Sequence, residues 1–391
     1  MESASFAVMN RKTLFYTGIA GLILFEIANV YFIMPMPGSQ RMESLDVAYF
    51  LYHWRWIFRA IFGAMILAGL LPAFRASRWP TLGSIAALVA AVYMFNFEMA
   101  AEKMFYQPGS LRMADSTENK VNLDKLVLGI ERNGQAKAYP IQYMGYHHQV
   151  RDTVGGEPVM VTYCTVCRTG RVYSPKVEGK YETFRLVGMD HFNAMFEDAT
   201  TKSWWRQVTG EAVAGPLKGA QLPELPVTQT SLREWLNLYP GSLVMQADST
   251  FSTDYADMET FDTGKGRGKL TGTDTLSWND KSWVVGIDLN KKASKAFDWN
   301  RLKQERIIND KVGEQPVVLV LANDNMSFFA FKRPDAATIF SIRNDTLFSG
   351  DKSWNLLGKA TDPTRQDLKK INAYQEFWHS WSTFHPHTTR Y

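Results

Sequence analysis

Cysteine is scarce in this sequence of 391 amino acids, which contains only two. Two thiols exclude a disulfide-rich scaffold and any metal site that needs four thiolates from one chain. An excess of one charge is also lacking, because 43 basic residues face 39 acidic ones and no long run of Lys or Arg occurs. The sequence therefore predicts no nucleic-acid partner, since such partners bind concentrated basic surfaces.

Three common catalytic signatures are missing as well: the Gly-x-Ser-x-Gly nucleophile elbow, the phosphate-binding loop ending in Lys-Ser/Thr, and the His-Glu-x-x-His zinc helix. The Gly-rich stretch Gly264–Gly268 lies in a polar segment, residues 252–279, without a strand-to-helix context. We interpret this segment as a flexible connection. Disorder of the whole chain is excluded by the 12 Trp and the 13% of aromatic residues. Whether the protein is an enzyme stays open.

Long apolar runs are present, and all of them lie near the N-terminus: Thr13–Met34, Ile57–Phe74 and Thr81–Phe97. A helix needs roughly 17–25 mostly apolar residues to cross a bilayer. A signal peptide would be shorter and would be followed by a cleavage site rather than by further spans. Residues 1–104 are therefore predicted to form a three-span transmembrane anchor in contact with the lipid bilayer. Other membrane proteins are further candidate partners of such a helical bundle.

The basic residues beside the spans predict an orientation. Arg11 and Lys12 precede the first span, and Arg75 and Arg78 occupy the short loop between the second and third spans. Loops rich in Lys and Arg stay in the cytoplasm. The prediction is a cytoplasmic (inner) membrane protein with its N-terminus inside and a large C-terminal domain, residues 105–391, outside the cytoplasm.

The C-terminal domain has short runs typical of β-strands, separated by Gly, Asn, Asp and Pro. A β-rich domain, mainly β or α+β, is predicted with few helices. The expected strands are Leu126–Ile130, Pro158–Tyr163, Gly170–Tyr173, Thr183–Val187, Val284–Ile287, Val317–Leu321 and Ser327–Phe331. The expected helices are Ser231–Leu238, Asn300–Gln304 and Asp367–Trp378.

Two parts of this domain resemble each other. The segment Leu126–Pro140 resembles Trp283–Trp299, and Arg151–Cys164 resembles Ile308–Ala322 in a nearly constant register. Two related β-units are therefore predicted, over about residues 121–250 and 280–391, joined by a linker over about residues 252–279. In this register Cys164 aligns with Ala322 and Cys167 with Asn325. The scaffold can thus be built without thiols, which favours a specific role for the cysteine pair.

Cys164-Thr165-Val166-Cys167 follows an apolar strand and precedes another, which is the shape of a metal knuckle. A knuckle supplies two ligands, so further ligands must come from elsewhere. His147 lies just upstream, and His191 lies in a loop near Met189 and Met195. Cys, Met and His suit Cu(I), whereas Cys and His also suit Zn. The leading hypothesis is that Cys164, Cys167, His147 and His191 bind a transition metal, Cu or Zn, for metal handling or metal-dependent chemistry.

Two other hypotheses remain. Cys164 and Cys167 can cycle between dithiol and disulfide in a thiol–disulfide oxidoreductase, with Arg168 stabilising the thiolate, or they can form a disulfide that only braces the turn. Alternatively, the protein is a non-catalytic module that binds a cell-envelope ligand through the aromatic region around Trp204, Trp205 and Trp235.

From about Leu126 onward, the sequence resembles a prokaryotic family of unknown function whose signature strand reads Thr-Tyr-Cys-Pro-Leu-Cys-Gly. The corresponding residues here are Thr162–Arg168, and further family segments correspond to Ala138–Pro140, His147–Gly156, Trp205–Gly215 and Phe384–Thr388. The resemblance implies that His147, Cys164, Cys167, Trp205 and Gln207 belong to the family pattern. Trp205 and Gln207, with Arg168 in place of the family's Gly, are expected to contact a ligand or to support the residues that bind it.

Overall fold

The computed structural model of the chain describes residues 2–266, 268–289 and 293–391, with only the backbone described for residues 2–10. Arg267 in the predicted linker and Asn290–Lys292 in the second predicted β-unit lie outside the described residues. The chain forms two compact units. Unit 1 comprises Met1–Tyr106, Phe184–Arg206 and Ala212–Ala220, and unit 2 comprises Gln107–Thr183, Gln207–Glu211 and Gln221–Tyr391. Two segments of the predicted C-terminal domain thus belong to the unit that contains the N-terminal helices.

The three predicted spans of unit 1 are confirmed as helices that are long and apolar enough to cross a membrane: Arg11–Tyr31, Arg55–Ala76 and Arg78–Glu98. The first is part of the helix Glu2–Tyr31, and the third consists of the α-helix Arg78–Tyr93 and a π-helical turn, Met94–Glu98. The sequence patterns did not predict two shorter helices, Leu45–His53 and Ala101–Met104, which lie in the segments after the first and third spans.

A polar contact joins all three spans. The guanidinium of Arg59 donates to both carboxylate oxygens of Glu26, at 2.7 and 2.9 Å, and to Oδ1 of Asn96 at 2.6 Å. The amide of Asn96 in turn donates to Glu26 at 3.0 Å. An unpaired charge is costly within a bilayer, whereas a paired one can hold helices together. Glu26 therefore has a partner from each of the other two spans.

Unit 1 also contains a four-stranded antiparallel sheet, which we call the insert sheet. Its strands are Phe184–Asp190, Asn193–Asp198, Trp204–Arg206 and Ala212–Ala214. The segment after the first span contacts this sheet, since Met189 N donates to Ile33 O at 2.7 Å and Phe192 N donates to Gln40 Oε1 at 3.0 Å. Two candidate spans, an even number, separate the contacting segments along the chain, as this contact requires if every candidate span crosses a membrane.

Unit 2 contains two runs of elements in the same order: two strands, a seven-residue helix and three strands. The first run is Leu126–Arg132, Gln135–Pro140, Ile141–His147, Gln149–Val154, Glu157–Cys164 and Thr169–Tyr173. The second run is Trp283–Asp288, Ser294–Asp298, Trp299–Glu305, Ile307–Val312, Gln315–Leu321 and Phe328–Lys332.

The remaining elements of unit 2 are short. Its other helices are Leu232–Leu238, Ser252–Asp257 and Trp378–Phe384, with a 3₁₀ turn at Ser249–Phe251. Its other strands are Met113–Ala114, Lys176–Val177, Lys180–Tyr181, Glu224–Leu225, Thr228–Ser231, Leu243–Met245, Ser341–Arg343, Thr346–Ser349, Lys352–Trp354, Lys370–Ile371, Tyr374–Phe377 and Thr389–Arg390.

The pairing of these strands also corresponds between the two runs. In each run the first strand pairs with an antiparallel strand that precedes a helix, Thr228–Ser231 or Tyr374–Phe377. The second strand pairs in parallel with Leu243–Met245 or Thr389–Arg390. An ion pair recurs as well, between Lys137 and Asp152 at 2.9 Å and between Lys295 and Asp310 at 2.7 Å.

The two halves of unit 2 share one core. A cluster of buried side chains contains Leu128, Val161 and Val172 from the first half together with Val284 and Trp381 from the second. Gln229 Nε2 donates to Gln375 Oε1 at 2.9 Å, and both side chains are buried. Burial of apolar residues from both halves makes unit 2 a single folded body.

The predicted β-rich domain is confirmed, and the predicted strands match observed strands within a few residues. The prediction of a helix over Asp367–Trp378 is wrong. This segment instead contains the strands Lys370–Ile371 and Tyr374–Phe377, which pair with Phe328–Lys332 and Trp283–Asp288, and the helix begins only at Trp378. Pairing with distant strands decides the conformation here, which a local periodicity does not reveal.

Candidate functional site: the buried cysteine pair

The cysteine pair lies in a tight loop between two strands of unit 2. Cys164 is the last residue of the strand Glu157–Cys164 and pairs with Thr169, the first residue of the next strand. Arg168 closes the loop with a φ of 57°, in the left-handed region that favours Gly. The left-handed backbone explains why Gly suits this position in the resembling family.

The side chain of Arg168 is buried and faces backbone carbonyls. Its Nη1 donates to Phe261 O at 2.8 Å and its Nη2 donates to Asp262 O at 2.6 Å, while the guanidinium lies 3.8 Å from the ring centroid of Trp283. Burial lowers the pKa of Arg168 from its usual value. These contacts attach the cysteine loop to Phe261 and Asp262, in the segment that was predicted to be a linker.

Both thiols are fully buried and are not joined in a disulfide. Burial raises the pKa of the Cys167 thiol well above its usual value, and a hydrogen bond with the Cys164 thiol raises it further. A hydrogen bond with Ser380 acts in the opposite direction. The two sulfur atoms therefore lie within hydrogen-bonding reach of each other in a site that excludes water.

A lysine reaches the same loop. Lys281 Nζ donates to Val166 O, between the two cysteines, at 2.9 Å and to Leu270 O at 2.6 Å. Burial lowers the pKa of Lys281, and the neighbouring cysteines oppose that shift. Lys281 is thus the cation placed to compensate negative charge that develops on the sulfur atoms.

A buried ion pair supports the other side of the loop. Arg171 Nη2 donates to Glu376 Oε2 at 3.0 Å, and Ser380 Oγ donates to Glu376 Oε1 at 2.6 Å. Burial raises the pKa of Glu376, and Arg171 opposes this shift. Phe377 N also donates to Cys167 O at 2.8 Å. The second half of unit 2 therefore supplies much of the environment of the first half's thiols.

The predicted ligand His147 lies at the end of the helix Ile141–His147, where it is buried. Its Nε2 shares a hydrogen bond of 2.6 Å with the hydroxyl of Tyr255, in the segment 252–279. The next residue, His148, contacts the cysteine strand through its backbone, because Tyr163 N donates to His148 O at 2.9 Å. The end of this helix is therefore joined to the cysteine strand through the backbone of His148.

Gln207 lies directly beside the cysteine hairpin. Its Nε2 donates to Thr162 Oγ1 at 3.0 Å and to Thr169 O at 3.2 Å, so it bridges the two strands that flank the loop. The backbone carbonyl oxygen of Gln207 accepts a hydrogen bond of 2.7 Å from the hydroxyl of Tyr173. These contacts give Gln207 a supporting position beside the cysteine hairpin.

His191 and Trp205 belong to unit 1. His191 Nδ1 lies 2.6 Å from Asp190 Oδ1, and the Asp190 hydrogen bond raises the pKa of His191 above its usual value. Trp205 is buried and its indole N–H donates to Asp198 at 2.9 Å.

The aromatic residues proposed to bind an envelope ligand are packed inside the protein. Trp204, Trp205 and Trp235 are at most 2% exposed. The indole N–H of Trp204 donates to Glu197 at 3.0 Å, and that of Trp235 donates to Ser242 at 2.7 Å. Buried indoles with bonded N–H groups do not offer a face to a surface ligand.

Within the part of the chain that the structure describes, no group of three or more His, Cys, Asp and Glu side chains is arranged to hold a metal ion. Sequence patterns did not identify Lys281, Glu376, Ser380 or Tyr255 as neighbours of the predicted site. Their spacing along the chain carries no signal, since each reaches the site through long-range packing.

The comparisons identify the family. A family model described as "Protein of unknown function (DUF3179)" matches residues 107–388. No curated protein and no solved structure matches the chain significantly. Because the family model covers more than half of the chain, this protein belongs to the DUF3179 family.

Proposed function

We propose that the protein is a membrane-anchored, extracytoplasmic copper protein that binds one Cu(I) ion between Cys164 and Cys167. The observation that carries the proposal is the contact between two fully buried thiols on one short loop. Thiolates are soft ligands that select Cu(I), and the two cysteine sulfur atoms would hold the ion.

The donor set favours copper over zinc. Structural Zn sites have four protein ligands and catalytic Zn sites have three. Among the described residues, no such group includes the cysteine pair. His147 Nε2 bonds to the hydroxyl of Tyr255, and a two-sulfur site does not need it as a ligand. His191 is not needed for a two-sulfur site.

Charge supports the same assignment. Binding of Cu(I) releases two thiol protons and leaves a complex with one net negative charge. The ammonium of Lys281, which donates to Val166 O within the loop at 2.9 Å, balances that charge. The nearby carboxylate of Glu376 is already paired with Arg171 at 3.0 Å. The positive charge of Lys281 therefore offsets the negative charge of the copper complex, which reduces the cost of burying that complex.

Thiol–disulfide exchange is the second candidate, because the thiols are close enough to react. A partner disulfide would be reduced to two thiols while Cys164 and Cys167 form one disulfide. Exchange needs an accessible thiol with a lowered pKa. Both thiols are fully buried, which keeps a protein disulfide from reaching them, so the observations favour copper.

The test is anaerobic titration of the full chain in detergent with Cu(I), in competition with a coloured Cu(I) chelator. We expect one Cu(I) per chain and at least a hundredfold weaker binding in Cys164→Ser and in Cys167→Ser. Asn325→Ser is the matched control, since Asn325 aligns with Cys167 in the predicted repeat, and it should bind as the wild type does.

Two results would contradict the copper proposal. One is unchanged copper binding in both cysteine variants, and the other is displacement of the bound Cu(I) by an equal concentration of Zn(II). If no copper binds and the cysteine pair shows a reduction potential in the range of exchange-active proteins, the second candidate replaces the first.

A further inference from the structure

Unit 1 contains a cavity of about 240 Å³ that is unrelated to the cysteine pair. Its lining comes from the helix Leu45–His53, from Arg55 and from the insert sheet with its connecting turns. We call it the juxtamembrane cavity, because Arg55 is also the first residue of the second span.

The lining of the juxtamembrane cavity is basic. Arg55, Arg185 and Lys202 line it together with a single carboxylate, that of Glu197. Glu197 Oε1 accepts a hydrogen bond from Arg185 Nε at 2.9 Å, and its negative charge neutralises the positive charge of that arginine. Among the described residues, neither Arg55 nor Lys202 forms an ion pair with a carboxylate. Two positive charges are therefore available to a ligand.

Aromatic side chains hold the cavity in shape. The guanidinium of Arg55 lies 3.9 Å from the ring centroid of Tyr52 and donates to Tyr52 O at 2.6 Å. The hydroxyl of Tyr49 donates to Lys202 O at 3.2 Å. Arg185 also donates to the Tyr52 hydroxyl. Two of the three cations are thus fixed before any ligand arrives, which lowers the entropic cost of binding.

The cavity lies where lipid headgroups are found. Trp54 and Trp56, on either side of Arg55, are 44% and 67% exposed. Exposed Trp at the end of a span is typical of the membrane–water interface. An anionic phosphate at this level would be attracted by the arginine and lysine side chains of the cavity through charge and hydrogen bonds.

We propose that the juxtamembrane cavity binds the phosphate of an anionic phospholipid headgroup, with Arg55 and Lys202 supplying the charge that recognises it. Arg185 adds a further donor beside Glu197, and Tyr49 and Tyr52 line the same cavity. This site belongs to unit 1 alone and is independent of the proposed copper site.

The test is calorimetric titration of the detergent-solubilised full chain with dihexanoyl phosphatidylglycerol, which is short enough to be soluble. Dihexanoyl phosphatidylcholine and inorganic phosphate are titrated separately. We expect phosphatidylglycerol to bind at least tenfold more tightly than either of the other two. Arg55→Gln/Lys202→Gln should weaken this binding at least tenfold.

Arg41→Gln/Lys103→Gln is the matched control, because it removes the same charge from residues of unit 1 that do not line the cavity. It should change the affinity by less than twofold. The single variant Lys202→Gln, at an exposed residue, provides the measurement if the double variant does not fold. Equal binding of phosphatidylglycerol and phosphatidylcholine would overturn the proposal, as would equal losses in the cavity and control variants. Inorganic phosphate that binds as tightly as phosphatidylglycerol would reject the lipid and identify a site for free phosphate.

Discussion

Arg168 occupies the position at which the family's signature strand has Gly. A non-Gly residue pays a conformational cost at a φ of 57°. Its buried guanidinium compensates through two hydrogen bonds to carbonyls of the segment 252–279 and through the ring of Trp283. The sequence suggested that Arg168 stabilises a thiolate, whereas Lys281 is the cation that bonds to the carbonyl between the two cysteines.

His148 predicts a pH dependence of stability. Burial lowers its pKa to about 4 in the folded chain, whereas the unfolded residue titrates near pH 6.5. Between these values the unfolded chain binds a proton that the folded chain does not, so stability is complete above about pH 6.5 and falls as the pH decreases towards 4. We expect a loss of about 1–2 kcal/mol between pH 7 and pH 5 from this residue.

The measurement is the thermal midpoint of the full chain in detergent at both pH values. His148→Asn should show a smaller decrease on acidification, since Asn tolerates the left-handed backbone at this position and does not titrate. His387→Asn changes an exposed histidine and serves as the control. An equal decrease in wild type and His148→Asn would show that the burial of His148 does not control the effect.

The candidate site could be predicted in part from the sequence. The cysteine pair and the nearby histidines were identifiable because their spacing is local. Glu376 and Ser380 were not, because they follow Cys167 by more than 200 residues and reach it only through the pairing of Tyr374–Phe377 with the second half's first strand. Local patterns carry no information about such long-range contacts.

At the scale of elements, one arrangement of strand and helix occurs twice. A Cβ added to Gly129 would lie 2.3 Å from the ring of Trp235, and one added to Gly286 would lie 2.1 Å from the ring of Trp381. Each indole N–H is bonded, to Ser242 and to Thr388 respectively. In both halves a short helix packs its Trp against a strand position that has no side chain.

Gly286→Ala should therefore destabilise unit 2. The added methyl group overlaps Trp381 in a close-packed core, and overpacking of this kind costs about 1–3 kcal/mol or more. Gly241→Ala is the control, since a Cβ there meets no atom within 4 Å. Urea unfolding of the full chain, followed by tryptophan fluorescence, measures the difference. Equal urea midpoints for the two variants would mean that the helix Trp378–Phe384 can move away from the added methyl group without loss of stability.

Elements with a strong local signal were predicted, and those fixed by distant partners were not. The three spans and the buried strands follow from long apolar runs and β-branched residues. The helix Ile141–His147 was missed because it lacks a side-chain N-cap, whereas the predicted helices of the same length begin after Ser231 and Asp298, whose side chains cap them. The segment Asp367–Trp378 has a helical pattern, yet its backbone groups pair with two separate sheets.

On the scale of the whole molecule, the insert sheet changes the domain description. The sequence between Phe184 and Ala220 is β-type and was therefore assigned to the C-terminal domain. Most of it belongs instead to unit 1, where it contacts the segment after the first span. Contacts between segments so far apart depend on tertiary packing, so composition alone could not separate the insert from its surroundings.

The arrangement of unit 1 predicts a labelling pattern. Single cysteines are introduced at Glu43, which follows the first span, at Ser77 between the second and third spans, and at the exposed residue Asp351. A membrane-impermeant maleimide applied to intact bacterial spheroplasts should label Glu43→Cys and Asp351→Cys, and should label Ser77→Cys only after lysis. Background should be low because Cys164 and Cys167 are buried.

The opposite pattern would reverse the proposed orientation while keeping three spans. Labelling of Asp351→Cys without Glu43→Cys would contradict the number of spans, because two crossings separate those residues. The wild-type chain, treated in the same way, controls for reaction of the native thiols.

The ion pair between Arg171 and Glu376 joins residues 205 positions apart, and Phe377 closes the same side of the cysteine loop. A ribosome synthesises Cys164 and Cys167 long before it reaches these neighbours. On the nascent chain both sulfur atoms therefore remain open to oxidants and metal ions until the strand Tyr374–Phe377 emerges and pairs. The compartment in which that last pairing occurs decides which chemical state of the thiols becomes enclosed.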